Sequence, residues 1–378
     1  MPEWLASPSG EIGTKRPGTQ KELKLLLAKN LKARTDSLGL SFRWEEKEGR
    51  FLVEGQEELL PFLVSLFGLS KVSFLLRLPR HDPWAHLDLS SLLPERPFVY
   101  TVYVKRFSDQ EAKEAGLTFK RELLFRLGEM AQERLKQWDN HPPEEVSWQI
   151  EVYPREFWLL WKRLPAPGGL PVGCGEKVLV LFSGGPDSLL AAYLLARRGQ
   201  EIELVFLDDG EPGRFELVKR AAQALAFFLP GLEIRLWRGF YRPVLEKIKE
   251  LVPRRERCFF CRRLMAEASS ALFSKTGAKA LATGEILGEQ ASQTLTGLLF
   301  SGAEFPLLRP VLAFNKEEVF QRLEAAGLAK VARLPLPPCP FAPERPRTRP
   351  TKPRSLGDRL SRKLKKPRFE VHLLRYQT

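Results

Sequence analysis

Hydrophobic and polar positions along the chain fall into two regimes. In the first part, apolar residues come in short alternating runs separated by helical stretches. Residues 18–35 (GTQKELKLLLAKNLKART) carry Leu and Ala at helical spacing with Lys and Arg opposite, which predicts an amphipathic helix. LSFRWEE and GRFLVEG then predict two strands joined by a charged turn, EELLPFLVSLFG a second helix and KVSFLLRL another strand. This α+β pattern spans about residues 10–80. The Pro-containing tract LPRHDPWAHLDLSSLLPERP reads as a connection. From Phe98 the pattern restarts: an alternating strand (VYTVYVKRF), a long helix (FKRELLFRLGEMAQERLKQW) and two runs, SWQIEVYP and EFWLLWKRL, that read as a hairpin.

After the linker PAPGGLPVG the period changes. Near-continuous apolar strands (EKVLVLF, EIELVFLDD, EIRLWRGF, KALATGE, LLRPVL) alternate with helices (DSLLAAYLLARRG, FELVKRAAQALAFF, SQTLTGLL, KEEVFQRLEAAG). That alternation predicts a doubly wound α/β domain, a parallel sheet covered on both faces, following two small α+β units. Ligands in such folds lie at the carboxyl ends of the strands.

With 378 residues the chain suits two or three domains. No apolar run approaches the roughly 20 residues of a membrane span, and the N-terminus lacks the basic and apolar regions of a secretory leader, so a cytoplasmic protein with no membrane partner is expected. The formal charge of +14 favours a polyanionic partner. Residues 344–378 hold twelve Lys and Arg against three Asp and Glu, a net +9 of that total. They read as a solvated basic arm, Pro-rich (RPRTRPTKPR) and then helical (SLGDRLSRKLKK), that docks on phosphates; inert disorder is the plainer alternative.

Chemistry is concentrated at Ser183-Gly184-Gly185-Pro186-Asp187-Ser188, between a buried strand and a helix start. Two glycines allow tight backbone, and free amides at a helix N-terminus cradle phosphate. The Ser183 and Ser188 hydroxyls can donate to phosphate oxygens. Asp187 would be repelled by phosphate, which suggests a Mg²⁺ contact or a role in holding the loop. The pattern is neither GxxxxGK[ST] nor GxGxxG. It is similar to the SGGxDS signature of PP-loop ATP pyrophosphatases, which points to adenyl transfer and to ATP as cosubstrate.

Four cysteines are too few for a disulfide framework. Cys258 and Cys261 stand three apart in ERCFFCRRLM, and Cys339 follows in LPLPPCPF. Three thiolates leave one coordination position open, which fits a catalytic zinc or a 4Fe–4S cluster with one iron lacking a protein ligand. A redox dithiol and plain buried cysteines remain alternatives, and Cys174 in the linker reads as incidental.

Several separated strings resemble the 4-thiouridine synthetase (tRNA sulfurtransferase) family known as ThiI: SGEIGTKRPG, GGLPVG with SGGPDS, CRRLM with ATGEILGEQASQTL, and LLRPVLAFNKEE followed by Cys339. The resemblance runs from about residue 8 to residue 345. It implies a ferredoxin-like domain (1–80), an RNA-binding THUMP domain (81–168), a PP-loop ATP pyrophosphatase domain (169–343) and the basic tail (344–378). The implied reaction is ATP-dependent adenylation of uridine 8 of tRNA at O4, followed by replacement of that oxygen with sulfur. ATP would be held by Ser183, Gly184, Gly185, Asp187, Ser188, Thr283, Gly284 and Gln293, with Asp187, Lys316 and Cys339 catalytic. Glu285 ends the same strand, and Thr294 is read with Gln293 either as a nucleotide contact or as a helix cap. Lys316 would neutralise charge on the phosphates.

The chain departs from the family pattern at Pro186 and Leu189 in the loop, at the acidic pair Asp208 and Asp209, at two positions of GEQASQ, and in stopping without a rhodanese-like domain. The last departure implies a 4Fe–4S cluster on Cys258, Cys261 and Cys339. Persulfide chemistry on Cys339, resolved by Cys258 or Cys261, is the alternative. The sulfur donor would be sulfide or a persulfide carrier such as a cysteine desulfurase, and the resemblance implies a homodimer. Rival readings are a PP-loop enzyme thiolating another tRNA base, an ATP-dependent amidotransferase or ligase acting on a small molecule, and a non-catalytic RNA-binding protein. The basic tail argues against a small substrate. The intact Gly184, Gly185, Asp187 and Lys316 argue against a decayed site.

Overall fold

The computed structural model describes residues 1–136 and 142–377. The chain divides into two compact units.

The first unit comprises residues 1–10, 39–65 and 69–168. Its strands are β1 (Glu3–Pro8), β2 (Phe42–Lys47), β3 (Arg50–Gly55), β4 (Leu69–Pro79), β5 (Phe98–Val104), β6 (Glu144–Val152) and β7 (Glu156–Pro165). They form one sheet in the order β2-β3-β1-β4-β7-β6-β5, antiparallel except where β5 runs parallel to β6. The β2–β3 turn is built from Glu48 and Gly49, both at positive φ (51° and 75°), as a tight hairpin turn requires. β4 pairs with β1 on one side and β7 on the other, so this sheet continues across residue 80. One face packs Phe98, Val102, Trp148 and Ile150 against Phe119, Leu123 and Leu127 of helix Gln110–Leu135. That helix starts where the Asp109 carboxylate accepts from the Ala112 amide at 2.8 Å. Of the helix predicted here, Gln137 and Trp138 lie outside the described residues.

β1 was not legible in the sequence. Trp4, Leu5 and Ala6 are all buried, so this interior strand lacks the alternation that marks one with a wet face. The helix expected over EELLPFLVSLFG is only a 3₁₀ turn (Glu57–Leu59) and a short helix (Leu60–Val64). Leu66–Gly68 belong instead to the second unit, where Phe67 packs on Tyr193 and Phe228.

The second unit comprises residues 11–38, 66–68 and 169–378. Its strands are β8 (Lys177–Leu181), β9 (Glu201–Asp208), β10 (Glu233–Phe240), β11 (Ala280–Ala282), β12 (Leu307–Leu308) and β13 (Phe369–Arg375). The order is β12-β11-β8-β9-β10-β13, parallel except for β13. This is the doubly wound sheet that the alternating pattern predicted. Val178, Leu179 and Val180 of β8 are buried on both faces, as a parallel strand between helical layers must be. Helices Pro186–Arg197 and Arg214–Ala226 contribute Leu189, Leu190, Val218 and Leu225 to the main core. Only Leu307–Leu308 of LLRPVL is strand, because Pro310 has no amide to continue the ladder.

Two segments lie differently from the sequence reading. Helix Pro17–Thr35, expected with the first α+β pattern, groups with the second unit. Its Leu27 meets Gly68, its Asn30 amide donates to the Val172 carbonyl at 2.9 Å, and the Arg34 guanidinium lies over the Phe227 ring. The basic tail is not a solvated arm. Helix Arg354–Lys363 buries Gly357 and Leu360, and β13 pairs antiparallel with β10 from Glu233–Arg375 to Gly239–Phe369. An open edge on β10 and the apolar Leu360 and Leu374 outweigh the charge of the segment. Among the described residues no helix is long and apolar enough to cross a membrane.

Candidate functional site

The Ser183–Ser188 loop follows β8 and opens helix Pro186–Arg197, with Gly185 at the N-cap and Pro186 in the first turn, where its missing amide is no loss. The loop is tied internally. The Ser188 hydroxyl accepts from the Ser183 amide (3.2 Å) and donates to the Gly185 carbonyl (3.0 Å), while Ser183 Oγ accepts from the Gly185 amide (3.3 Å). Gly184 has φ 79°, and a Cβ there would stand 3.1 Å from Val218 Cα, so both dihedral and space require glycine.

Gly284 is needed for a different reason. It follows β11, and a Cβ there would lie 2.5 Å from the Ser188 amide nitrogen and 2.6 Å from the Asp187 carbonyl carbon. Gly284 thus lets a neighbouring segment close on the backbone of the phosphate loop.

Lys316, at the start of helix Lys316–Ala325, is placed by a capping box between Asn315 and Glu318. Its Nζ donates to both Asp187 carboxylate oxygens (2.9 Å each) and to Glu289 Oε1 (2.8 Å). Burial alone would lower the Lys316 pKa, but the bonds from Glu289 and Asp187 outweigh it and raise the ammonium above its usual range. Asp187 is pushed up by burial, against the pull of Lys316 and with a smaller push from Glu289. In this structure both Asp187 oxygens are committed to Lys316. Glu289 had no signal in the sequence, since only the fold brings it to Lys316.

A cavity of about 390 Å³ lies at the carboxyl ends of β8 and β9. It is lined by Ser183, Asp187, Ser188, Thr283, Gly284 and Gln293 and equally by Cys258, Cys261 and Cys339. Residues singled out separately in the sequence therefore share one chamber. Gly184, Gly185 and Lys316 lie outside its lining and shape the loop and its ion pair. Gln293 is buried, and its side-chain oxygen accepts from the Gln290 amide at 3.0 Å, which fixes the turn at 288–293. Thr294 caps helix Leu295–Phe300 through the Gly297 amide (3.1 Å) and donates to the Thr348 carbonyl (2.8 Å).

Cys258 and Cys261 sit one turn apart in helix Arg257–Ser270, and Cys339 lies in the segment after the last α/β helix, where it is exposed. Burial, with Cys339 and Cys258 nearby, pushes the Cys261 thiol up to about 12; burial and then Cys339 raise Cys258. Thiolate donors suit iron. Among the described residues no three His, Cys, Asp or Glu side chains are close enough to hold a single metal ion. Thiolates are the donors that hold sulfide-bridged iron clusters, and all three cysteines line the chamber.

The sequence reading named Glu285, Asp208 and Asp209 but missed the arginines that pair with them. Arg262, next to Cys261, pairs with Glu285 at 3.0 Å, and Arg309 Nε meets the other Glu285 oxygen at 2.6 Å. Burial depresses Arg262. Arg214 and Asp209 form another wall pair at 3.2 Å. Asp208 is paired with Arg238 (Nε to Oδ2, 2.7 Å), so its charge is matched within the fold.

A phosphate-competent loop at the first crossover of a doubly wound sheet, with a lysine held against its aspartate, defines a nucleotide-binding α/β protein of the PP-loop class. Residues 173–356 match the family model of ThiI, described as thiamine biosynthesis protein. A probable tRNA sulfurtransferase of Thermococcus kodakarensis is 28% identical over 354 residues, covering 89% of this chain and 91% of that protein. One from Aeropyrum pernix is 36% identical over 216 residues, 56% of this chain, and the match spans about half (54%) of that relative's length. A solved complex of a 4-thiouridine synthetase with RNA and bound ATP shares the fold, with a TM-score of 0.78 at 24% identity over 99% of this chain and 100% of that one. Residues 173–356, a little under half of the chain, are thus similar to the ThiI family.

Proposed function

We propose that this protein is a tRNA sulfurtransferase that uses ATP to convert a tRNA uridine, at position 8, to 4-thiouridine. The observation that carries the reading is the single chamber in which the Ser183–Ser188 loop faces Cys258, Cys261 and Cys339. A nucleotide site and a sulfur site so close together suit a reaction that activates an oxygen and then replaces it.

In the first step uracil O4 would attack the α-phosphorus of ATP, forming an O4–P bond and releasing pyrophosphate. In the second, sulfide would add at C4 and AMP would leave with the former O4 oxygen. The amides of Gly184 and Gly185 and the Ser183 hydroxyl would hold the leaving phosphates. Lys316, kept beside the loop by Asp187 and Glu289, would offset their charge, and Asp187 freed from Lys316 would be the group to meet Mg²⁺. Cys258, Cys261 and Cys339 would hold a 4Fe–4S cluster, which when bound supplies an iron without a protein ligand at which sulfide is carried. Residues 1–80 and 81–168 would serve as the ferredoxin-like and THUMP parts that grip the RNA by shape.

The test is anaerobic incubation with unmodified tRNA, ATP and sulfide, followed by nucleoside analysis and iron determination. The reading expects 4-thiouridine, with AMP and pyrophosphate formed in step with it. Absence of tRNA-dependent AMP would overturn it. Full activity in iron-free protein given only sulfide would retain thiolation and make free sulfide the attacking group, with no cluster required.

A further inference from the structure

The folded tail presents a charged surface that the chamber does not use. Helix Arg354–Lys363 lies on the cysteine-bearing helix: a Cβ at Gly357 would meet Arg263 Cδ at 2.8 Å, Leu360 joins the core of Phe260 and Leu264, and Asp358 is ion-paired with Arg263. The only acidic side chain of this helix is thus turned inward. On the outer face Arg359, Arg362 and Lys363 stand three and four positions apart, side by side, and Lys365 and Lys366 follow; all five are exposed. Among the described residues Arg359, Lys363, Lys365 and Lys366 have no carboxylate partner, and Arg362 bonds only the Asp358 carbonyl.

Concentrating unpaired cations on a pinned helix costs self-repulsion that nothing within the protein offsets. A polyanion laid along the face would offset it. We propose that Arg359, Arg362, Lys363, Lys365 and Lys366 form a docking surface for the phosphodiester backbone of the RNA substrate, separate from the catalytic chamber. The proposal rests on the tRNA reading above. Such contacts hold and orient RNA without reading its sequence. Because the helix is fixed to the one that carries Cys258 and Cys261, RNA bound here is tethered to the element that presents the sulfur site.

The test uses the full chain with Arg359→Gln, Lys363→Gln, Lys365→Gln and Lys366→Gln combined. Glutamine keeps helix propensity, and ATP affinity and melting temperature should match wild type. The slope of log affinity for tRNA against log salt should fall by about 3, because each phosphate that a cation neutralises contributes about 0.7–0.9 to it. Between about 50 and 200 mM salt, wild-type binding should therefore weaken about 60-fold more than that of the variant. The KM for tRNA should rise with kcat unchanged, and exchanging Arg for Lys and Lys for Arg at the four positions should restore binding. An unchanged salt slope and KM would overturn the proposal while leaving thiolation intact. A wild type that binds tRNA through this face but makes no thiolated base would sink the thiolation reading alone. If wild type does not bind tRNA, or if the quadruple change abolishes binding to anionic vesicles and not to RNA, the proposal falls.

Discussion

Replacing Gly284 with Ala tests the idea that the phosphate loop is set by a backbone contact from outside itself. The new Cβ would lie 2.5 Å from the Ser188 nitrogen, whereas ordinary contact begins at 3.4 Å, a shortfall of 3.4 − 2.5 = 0.9 Å. Both crowded atoms are backbone atoms of the loop, so no side chain can swing aside. The loop itself must shift by about 1 Å. Overpacking of this kind typically costs about 1–3 kcal/mol of stability, and a misplacement of about 1 Å costs roughly 100-fold in rate. Gly185→Ala is the matched control. There φ is −77°, and the nearest atoms, Ser183 Oγ and Leu336 Cδ1, lie at ordinary distances of 3.4 and 3.7 Å, so the fold should lose no more than about 0.5 kcal/mol. Denaturant melts and tRNA-dependent AMP release would be measured on both proteins. G284A should melt early and release AMP about 100-fold more slowly. Wild-type AMP release from G284A, or an equal loss of stability in G185A, would refute the reasoning.

Lys316→Met should weaken ATP binding and leave Asp187 facing Glu289 without a cation. The raised Lys316 pKa contributes stability that is full below its ordinary 10.5 and is lost as pH rises through the folded value, so the melting temperatures of wild type and variant should converge above that pH. In metal-free protein near pH 7.5, alkylation followed by peptide mass spectrometry should modify the exposed Cys339 well before the half-buried Cys261, whose thiol is pushed up to about 12; equal rates would contradict the chamber as described. Burial pushes the Glu256 carboxyl up, but bonds from the Thr351 hydroxyl and from the Lys352 and Thr351 amides (3.0 and 3.1 Å), with Arg347, outweigh it and hold the carboxyl below the usual range. Its contribution is present above an ordinary 4.5 and is lost as pH falls through the lower folded value. Glu256→Gln should therefore cost about 1 kcal/mol at neutral pH, less in acid, and speed proteolysis near Thr351.

The sequence by itself determined whatever depends on local pattern. The change from alternating strands to buried strand–helix units announced the parallel sheet, and Ser183–Ser188 announced a tight glycine turn into a helix start, because glycine dihedrals and helix starts are encoded within a few residues. Cys258 and Cys261 were paired by standing three apart in the sequence, and the structure puts both on one helix. The family strings added Lys316 and Cys339, which no local rule joins to the loop. Tertiary structure decided what depends on long-range packing. Glu289 reaches Lys316, Gly284 presses on the loop, and three cysteines enter the chamber beside the Ser183–Ser188 loop only because β11, helix Lys316–Ala325 and the segment after it fold back on the first crossover. Local pattern also misjudged the tail and helix Pro17–Thr35, since charge density and sequence order suggested a free arm and an N-terminal unit. An unfilled edge on β10, and apolar Leu27, Leu360 and Leu374 with partners elsewhere in the fold, drew both segments onto the doubly wound unit. Burial of apolar surface and completion of a sheet edge are set by distant residues, and a single pass along the sequence does not contain them.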